Sequence, residues 1–278
     1  MSQLVEQVRA AIGVRGRSSF IISPADTSSD GEKDLGNRLT QLHELLVQPI
    51  SDLLPLDPNA HVTFIPHVEL FLVPFSALQD ANGKYLIEQH TILTAPAIQV
   101  LDFTRQNRQR VQQAGLREAL VVGNPTMPKL SKPGEQPEQL GSLPNAEWEA
   151  KSIATILHTQ AWTGKQATKA AILPKLSQAR IIHLATHAFL DDLKSLGTPG
   201  AIALAPSGTG EPNDGFLTAN DILDLKLNAE LVVLSACNTG QGRITGDGVI
   251  GLSRSLILAG APSVMVSLWS VPDASTQG

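Results

Sequence analysis

The 278-residue chain reads as an α/β protein with a mostly parallel sheet between helices, preceded by an α+β N-terminal subdomain. Three observations carry this. From about residue 117, the short apolar runs at 119–122, 180–186, 230–235 and 263–269 alternate with helix-like stretches, the pattern of strands buried on both faces. Before that point, amphipathic helices are followed by short strand-like runs without such alternation. With 42% hydrophobic and 17% charged residues, the composition supports a packed core and excludes a disordered or coiled-coil chain. The expected division is residues 1–116 for the N-terminal subdomain and 117–278 for the sheet.

Leu4, Val5, Val8 and Ile12 lie at helical spacing, and the Gly/Arg/Ser stretch after them ends this first helix. A longer helix is expected over 34–54, where Leu35, Leu39, Leu42, Leu45, Leu46, Ile50, Leu53 and Leu54 mark one face and Pro49 kinks or breaks it. Strands are expected at 61–65 and 69–73, around Pro66, and at 86–93 after the Asn82-Gly83 turn. In the second part, strands at 119–122, 161–162, 180–186, 201–205, 230–235 and 263–269 alternate with helices at 145–157, 168–177, 218–224 and 247–259. Five or six parallel strands with crossovers result. Residues 125–144, rich in Pro, Gly, Glu and Lys, read as a loop.

Charge and cysteine usage narrow the function classes. The 21 Lys and Arg against 26 Asp and Glu give a net charge of −5, with no basic footprint for nucleic acid. A single cysteine excludes an intrachain disulfide and structural zinc ribbons, and favours a reducing compartment. No apolar run approaches the roughly 18–20 residues of a membrane span, and the first residues do not read as a signal peptide. A cytoplasmic protein without membrane or nucleic-acid partners, metal or cofactor is expected.

In open parallel sheets, ligands bind outside the carboxyl ends of the strands. Two reactive side chains fall at such ends: His187 follows the run ending at Thr186, and Cys237 follows the run ending at Ser235. If the two strands are neighbours, an imidazole meets a thiol across the sheet edge, the arrangement a cysteine nucleophile needs. Cys237 is followed by Asn238-Thr-Gly-Gln-Gly242, a polar glycine-containing loop that lets a peptide backbone approach. The alternative is a cysteine kept for packing, since cysteine is among the most buried residue types. His183 lies deeper in the same strand and reads as a hydrogen-bonded core histidine. Four strand residues separate it from His187 by about 13 Å, too far to share a metal. His43, His61, His67, His90 and His158 read as structural or exposed. Gly246-Asp-Gly-Val-Ile-Gly251 has the letters of a dinucleotide fingerprint but does not directly follow a strand, and reads instead as a helix start.

His183-Leu-Ala-Thr-His187, Leu234-Ser-Ala-Cys-Asn-Thr-Gly240 and Ser267-Leu-Trp-Ser-Val-Pro-Asp273 together resemble the CHAT family, caspase-like domains often found beside tetratricopeptide repeats in bacterial proteins. Phe64-Ile-Pro66, Leu72-Val-Pro-Phe-Ser-Ala-Leu78 and Leu258-Ala-Gly-Ala-Pro262 support the resemblance, which covers the chain from about residue 35. It implies a caspase-like α/β/α sandwich related to separase, and cysteine peptidase activity. By position, His187 is then the catalytic base and Cys237 the nucleophile, with the backbone N–H groups of Ala188 and Cys237 as the oxyanion hole. Asp273 becomes a candidate for an S1 pocket receiving Arg or Lys, although it equally suits a helix cap. The partners implied are a protein or peptide substrate and a repeat-containing protein.

Two departures from the family are visible. Ala188 stands where the family usually has Gly, and family members normally continue through a further helix and strand, so the second subdomain is expected to be truncated at its C-terminus. Two functions are therefore expected: a cysteine endopeptidase using a Cys-His dyad, or a catalytically impaired regulatory or protein-interaction module of the same family.

Overall fold

The computed structural model describes residues 2–12, 29–57, 59–131, 134–189, 198, 200–208, 214–235 and 246–267. The chain forms two compact units, Met1–Val100 and Leu101–Gly278.

In the first unit, helix α1 (Ser2–Ala11) packs on helix α2 (Ser29–Leu46). Val5 and Val8 of the one and Leu39 and Leu42 of the other are buried, as the helical spacing requires. After Val47 the chain tightens into a 3-10 stretch, Gln48–Leu53, with Pro49 in its first turn and no buried residue. Ile50 and Leu53 are thus exposed and do not extend the apolar face of α2. Strand β1 (His61–Phe64) pairs in parallel with β2 (Thr91–Thr94), and the Phe64 ring stacks on Phe75 at 4.1 Å between centroids.

Two strand expectations are corrected in this unit. The run expected as a strand over 69–73 is a 3-10 turn, Val68–Leu72. It is bracketed by Pro66 and Pro74, which withhold ladder donors, and a short apolar run alone does not distinguish helix from strand. Likewise 86–93 divides into a 3-10 turn, Leu86–Glu88, capped by the Glu88 carboxylate accepting from the Tyr85 N–H at 2.7 Å, before β2 begins.

Helix α3 (Ile98–Ala114) leads into the second unit and was not expected. Strands and helices then follow in order: β3 (Ala119–Pro125), β4 (Lys129–Leu130), β5 (Glu138–Gln139), α4 (Pro144–Ile156), β6 (Ala161–Gly164), α5 (Lys169–Leu176), β7 (Ile181–Ala185), β8 (Ala188–Phe189), β9 (Ala201–Ala203), β10 (Phe216–Thr218), α6 (Ala219–Leu223), β11 (Leu231–Leu234), α7 (Gly246–Leu258) and β12 (Val264–Val266). The main sheet has the order β12-β11-β7-β3-β6, and every pairing in it is parallel. The run at 201–205, expected as a strand, belongs instead to an antiparallel sheet of order β10-β9-β8.

Local chemistry explains the helices around the sheet. α4 starts with Pro144 at its first position, where the missing N–H costs nothing. Its Ala146, Ala150 and Ala154 are buried, and the last two pack with Val121 of β3. The approach is so close that a Cβ on Gly123 would collide with Ala150 and stand 2.5 Å from the Ala146 carbonyl oxygen. α6 opens with a reciprocal cap between Thr218 and Asp221. α7 begins at Gly246, so the glycine-rich hexad is a helix start, as its sequence context implies.

Candidate active site

Strand order places the site. The chain runs from β3 outward to β6, then returns to place β7 on the other side of β3. The order therefore reverses between β3 and β7, and ligand crevices of open parallel sheets lie at the carboxyl ends of such a pair. His187 follows β7 at that end. β7 also pairs with β11, with His183 opposite Val233 and Leu184 opposite Leu234. The strands preceding His187 and Cys237 are thus hydrogen-bonded neighbours, the condition set by the sequence. Cys237 and Asp273 themselves lie outside the described residues.

At His187 the chain passes from one sheet to the other. The His187 carbonyl accepts from the Ala203 N–H at 2.8 Å, and the buried Thr186 hydroxyl donates to the Ala203 carbonyl at 2.9 Å. The next residues form β8, the edge of the antiparallel sheet, with Ala188 opposite Ile202 and Phe189 opposite Ala201. Ladder hydrogen bonds alternate along an antiparallel pair. Since His187 and Ala203 face each other as a bonded pair, Ala188 and Ile202 form a non-bonded one, and the Ala188 N–H is directed away from β9. Among the described non-glycine residues, positive φ occurs at Asn124 and His158. Ala188 is therefore extended, and its methyl group carries no left-handed strain.

The His187 side chain is 5% exposed. Its Nε2 lies 2.7 Å from the carbonyl oxygen of Gly141. A carbonyl only accepts, so Nε2 carries the proton in both the neutral and the charged ring, and in the neutral ring the lone pair is on Nδ1. Gly141 belongs to the connection between β3 and α4. That connection is a built wall: Met127, Leu130 and Leu140 share a core with Phe189, Ala201, Ala203 and Phe216, and the Gln139 amide donates to the Met127 carbonyl at 2.8 Å. Sequence reasoning missed Gly141, because a backbone acceptor has no side-chain signature.

It also missed Asn124, at the carboxyl end of β3. Its φ of 44° is a left-handed conformation that asparagine tolerates better than most residues. Its Oδ1 accepts from the Leu143 N–H at 2.8 Å and the Ser142 hydroxyl at 3.1 Å. Its Nδ2 donates to Glu147 at 3.3 Å, and Lys151 bonds the other Glu147 oxygen at 2.6 Å. The hydrogen bond from Lys151, then that from Asn124, hold the Glu147 carboxyl below its ordinary pKa. The signal available in sequence was an Asn-Pro pair closing a buried strand.

His183 is the buried core histidine its position implies. Its Nε2 meets Glu149 Oε1 of α4 at 2.8 Å, with the two side chains 7% and 10% exposed. Among the described residues no cluster of three or more His, Cys, Asp or Glu could hold a metal, and no helix is long and apolar enough to cross a membrane.

A mixed α/β unit with a parallel central sheet and a histidine at the carboxyl end of its middle strand defines a protein of caspase-like α/β/α architecture. The CHAT domain, a caspase-like family, matches residues 36–278, and the chain belongs to that family. It is 29% identical to tetratricopeptide repeat protein 28 of Mus musculus, over 94% of this chain and 12% of that protein. The Homo sapiens tetratricopeptide repeat protein 28 matches with the same identity and coverage. The chain thus spans about an eighth of the length of these curated relatives.

Proposed function

We propose that the chain is the catalytic part of a caspase-like cysteine endopeptidase, with residues 117–278 as its peptidase subdomain and His187 and Cys237 as its dyad. The observation that carries this reading is the hydrogen bond from His187 Nε2 to the Gly141 carbonyl, which leaves Nδ1 as the basic atom at the carboxyl end of β7, next to the strand preceding Cys237. In this mechanism Nδ1 takes the thiol proton as Sγ attacks the substrate carbonyl carbon. The oxyanion receives hydrogen bonds from the N–H groups of Ala188 and Cys237. His187 then returns the proton to the leaving amine as the C–N bond breaks. Water, deprotonated by the same nitrogen, releases the acyl group and regenerates the thiol.

The direction of the Ala188 N–H away from β9 supports its place in the oxyanion hole. Asp273 is proposed to line the S1 pocket, giving preference for Arg or Lys before the scissile bond through carboxylate–cation pairing. Protein substrates in the cytoplasm and a partner bearing tetratricopeptide repeats complete the proposal, the latter because the curated relatives carry such repeats in their names.

Cleavage of short reporter peptides ending in Arg or Lys tests this reading, with Cys237→Ala and His187→Ala as controls. The expected result is a loss of at least about 100-fold in each variant. Equal turnover in wild type and Cys237→Ala would remove Cys237 as the nucleophile, and no turnover with no labelling of Cys237 by a basic acyloxymethyl ketone peptide would instead make the chain a catalytically impaired regulatory or protein-interaction module of the family.

A further inference from the structure

We propose that Asn124 is a positioning residue for His187: by gripping residues 142 and 143 it fixes the Gly141 carbonyl that receives the ring proton on Nε2. The catalytic consequence rests on the peptidase reading, whereas the positioning concerns the ring itself. Three consecutive residues divide the task. Gly141 supplies the acceptor for His187, while Ser142 and Leu143 donate to the Asn124 side chain. The two donors occupy both lone pairs of Oδ1, and the Glu147 carboxylate facing Nδ2 sets which way round the amide lies.

This grip is needed because residues 141–143 belong to no helix or strand. On one side Leu140 is anchored by burial and by its N–H donating to the Pro128 carbonyl at 3.3 Å. On the other α4 begins at Pro144. Asn124 projects into the gap from the end of β3, whose Val122 and Gly123 pair with Leu184 and Ala185 of the strand leading to His187. The asparagine therefore stands at the end of one strand and the histidine just beyond the end of its neighbour, joined through the short strap between them. Residue 141 itself needs no particular side chain, since a Cβ there would meet nothing within 4 Å. The carbonyl is what matters.

Proton exchange of the His187 ring N–H, followed by nitrogen-15 NMR on the full chain and assigned with His187→Gln, tests the proposal. Wild type is expected to show a protected Nε2–H signal. Asn124→Gly, which adopts the left-handed backbone without steric strain, should speed its exchange by about tenfold or more, and Asn124→Asp combined with Glu147→Gln, which keeps the acceptor oxygen without setting two carboxylates against each other, should restore protection. Wild-type exchange in folded Asn124→Gly, or no protected signal in wild type, would overturn the proposal. Should Asn124→Gly not fold, Ser142→Ala removes one of the two donors, and there an unchanged exchange rate is the overturning result. Iodoacetamide alkylation of the single cysteine separates this idea from the peptidase reading. Faster ring exchange with alkylation indifferent to His187→Gln supports the role of Asn124 and sinks the peptidase. Unchanged exchange with alkylation dependent on His187 does the reverse.

Discussion

The imidazole of His183 and the carboxylate of Glu149 meet at 2.8 Å in the interior of the second unit, joining the middle strand of the parallel sheet to helix α4. Removing one member of a buried polar pair leaves the other without its compensation, which costs about 1–3 kcal/mol. Glu149→Ala is expected to lower unfolding free energy in urea by about 2–3 kcal/mol. Glu149→Gln, which can still hydrogen-bond the imidazole, should cost only about 1 kcal/mol.

Gly123 is the point where β3 admits α4. Adding a methyl group there forces the backbone of Ala146 to move, not merely a flexible side-chain end. Gly123→Ala should therefore destabilise by about 1–3 kcal/mol, the usual cost of overfilling a packed interior, measured as a shift in the urea midpoint.

Gly141→Ala should behave in the opposite way. With open space at its Cβ position and no positive φ, the substitution leaves the carbonyl in place. Its stability is expected to stay within about 1 kcal/mol of wild type, with the His187 ring proton still protected.

Asp221 carries a pH signature. Burial works to raise the pKa of its carboxyl, but hydrogen bonds from Lys169, at 2.7 Å, and from Thr218 outweigh that and hold it below the ordinary value. Stability from a lowered carboxyl pKa is fully present above the unfolded value of about 3.9 and is lost as pH falls through the folded one. Asp221→Asn keeps an acceptor for Thr218 and loses the ion pair. It should be less stable than wild type by about 1 kcal/mol at neutral pH, with the gap closing below about pH 4 in acid unfolding curves.

The parallel sheet was legible in the sequence because β3 and β11 are continuous apolar runs, β7 is interrupted only by His183, and the three alternate with helix-like stretches, the pattern of strands covered on both faces. Helix α3 was not legible. Its buried residues are Asn107 and Val111, too few to print an apolar stripe, and Arg110 contributes instead through hydrogen bonds to Asn228, Leu227 and Gly260. The placement of His187 at a strand end followed from counting residues along its run, whereas the pairing of β7 with β11 was a condition that the sequence set and the sheet order meets. Its backbone partner did not, because Gly141 and Asn124 act through a carbonyl oxygen and a turn whose geometry exists only once β3, β7 and α4 are assembled.

Ile181 pairs with Ala119 on one side and Leu231 on the other, so the strand leading to His187 has no partner nearby in the chain. Each ladder must close a long loop before its hydrogen bonds can offset the lost entropy, which puts this unit among the slower folders. During synthesis β7 remains an open sheet edge until residue 234 is available. With apolar side chains on both faces and His183 as its one polar member, it is then a segment of the nascent chain that needs cover against pairing with another copy.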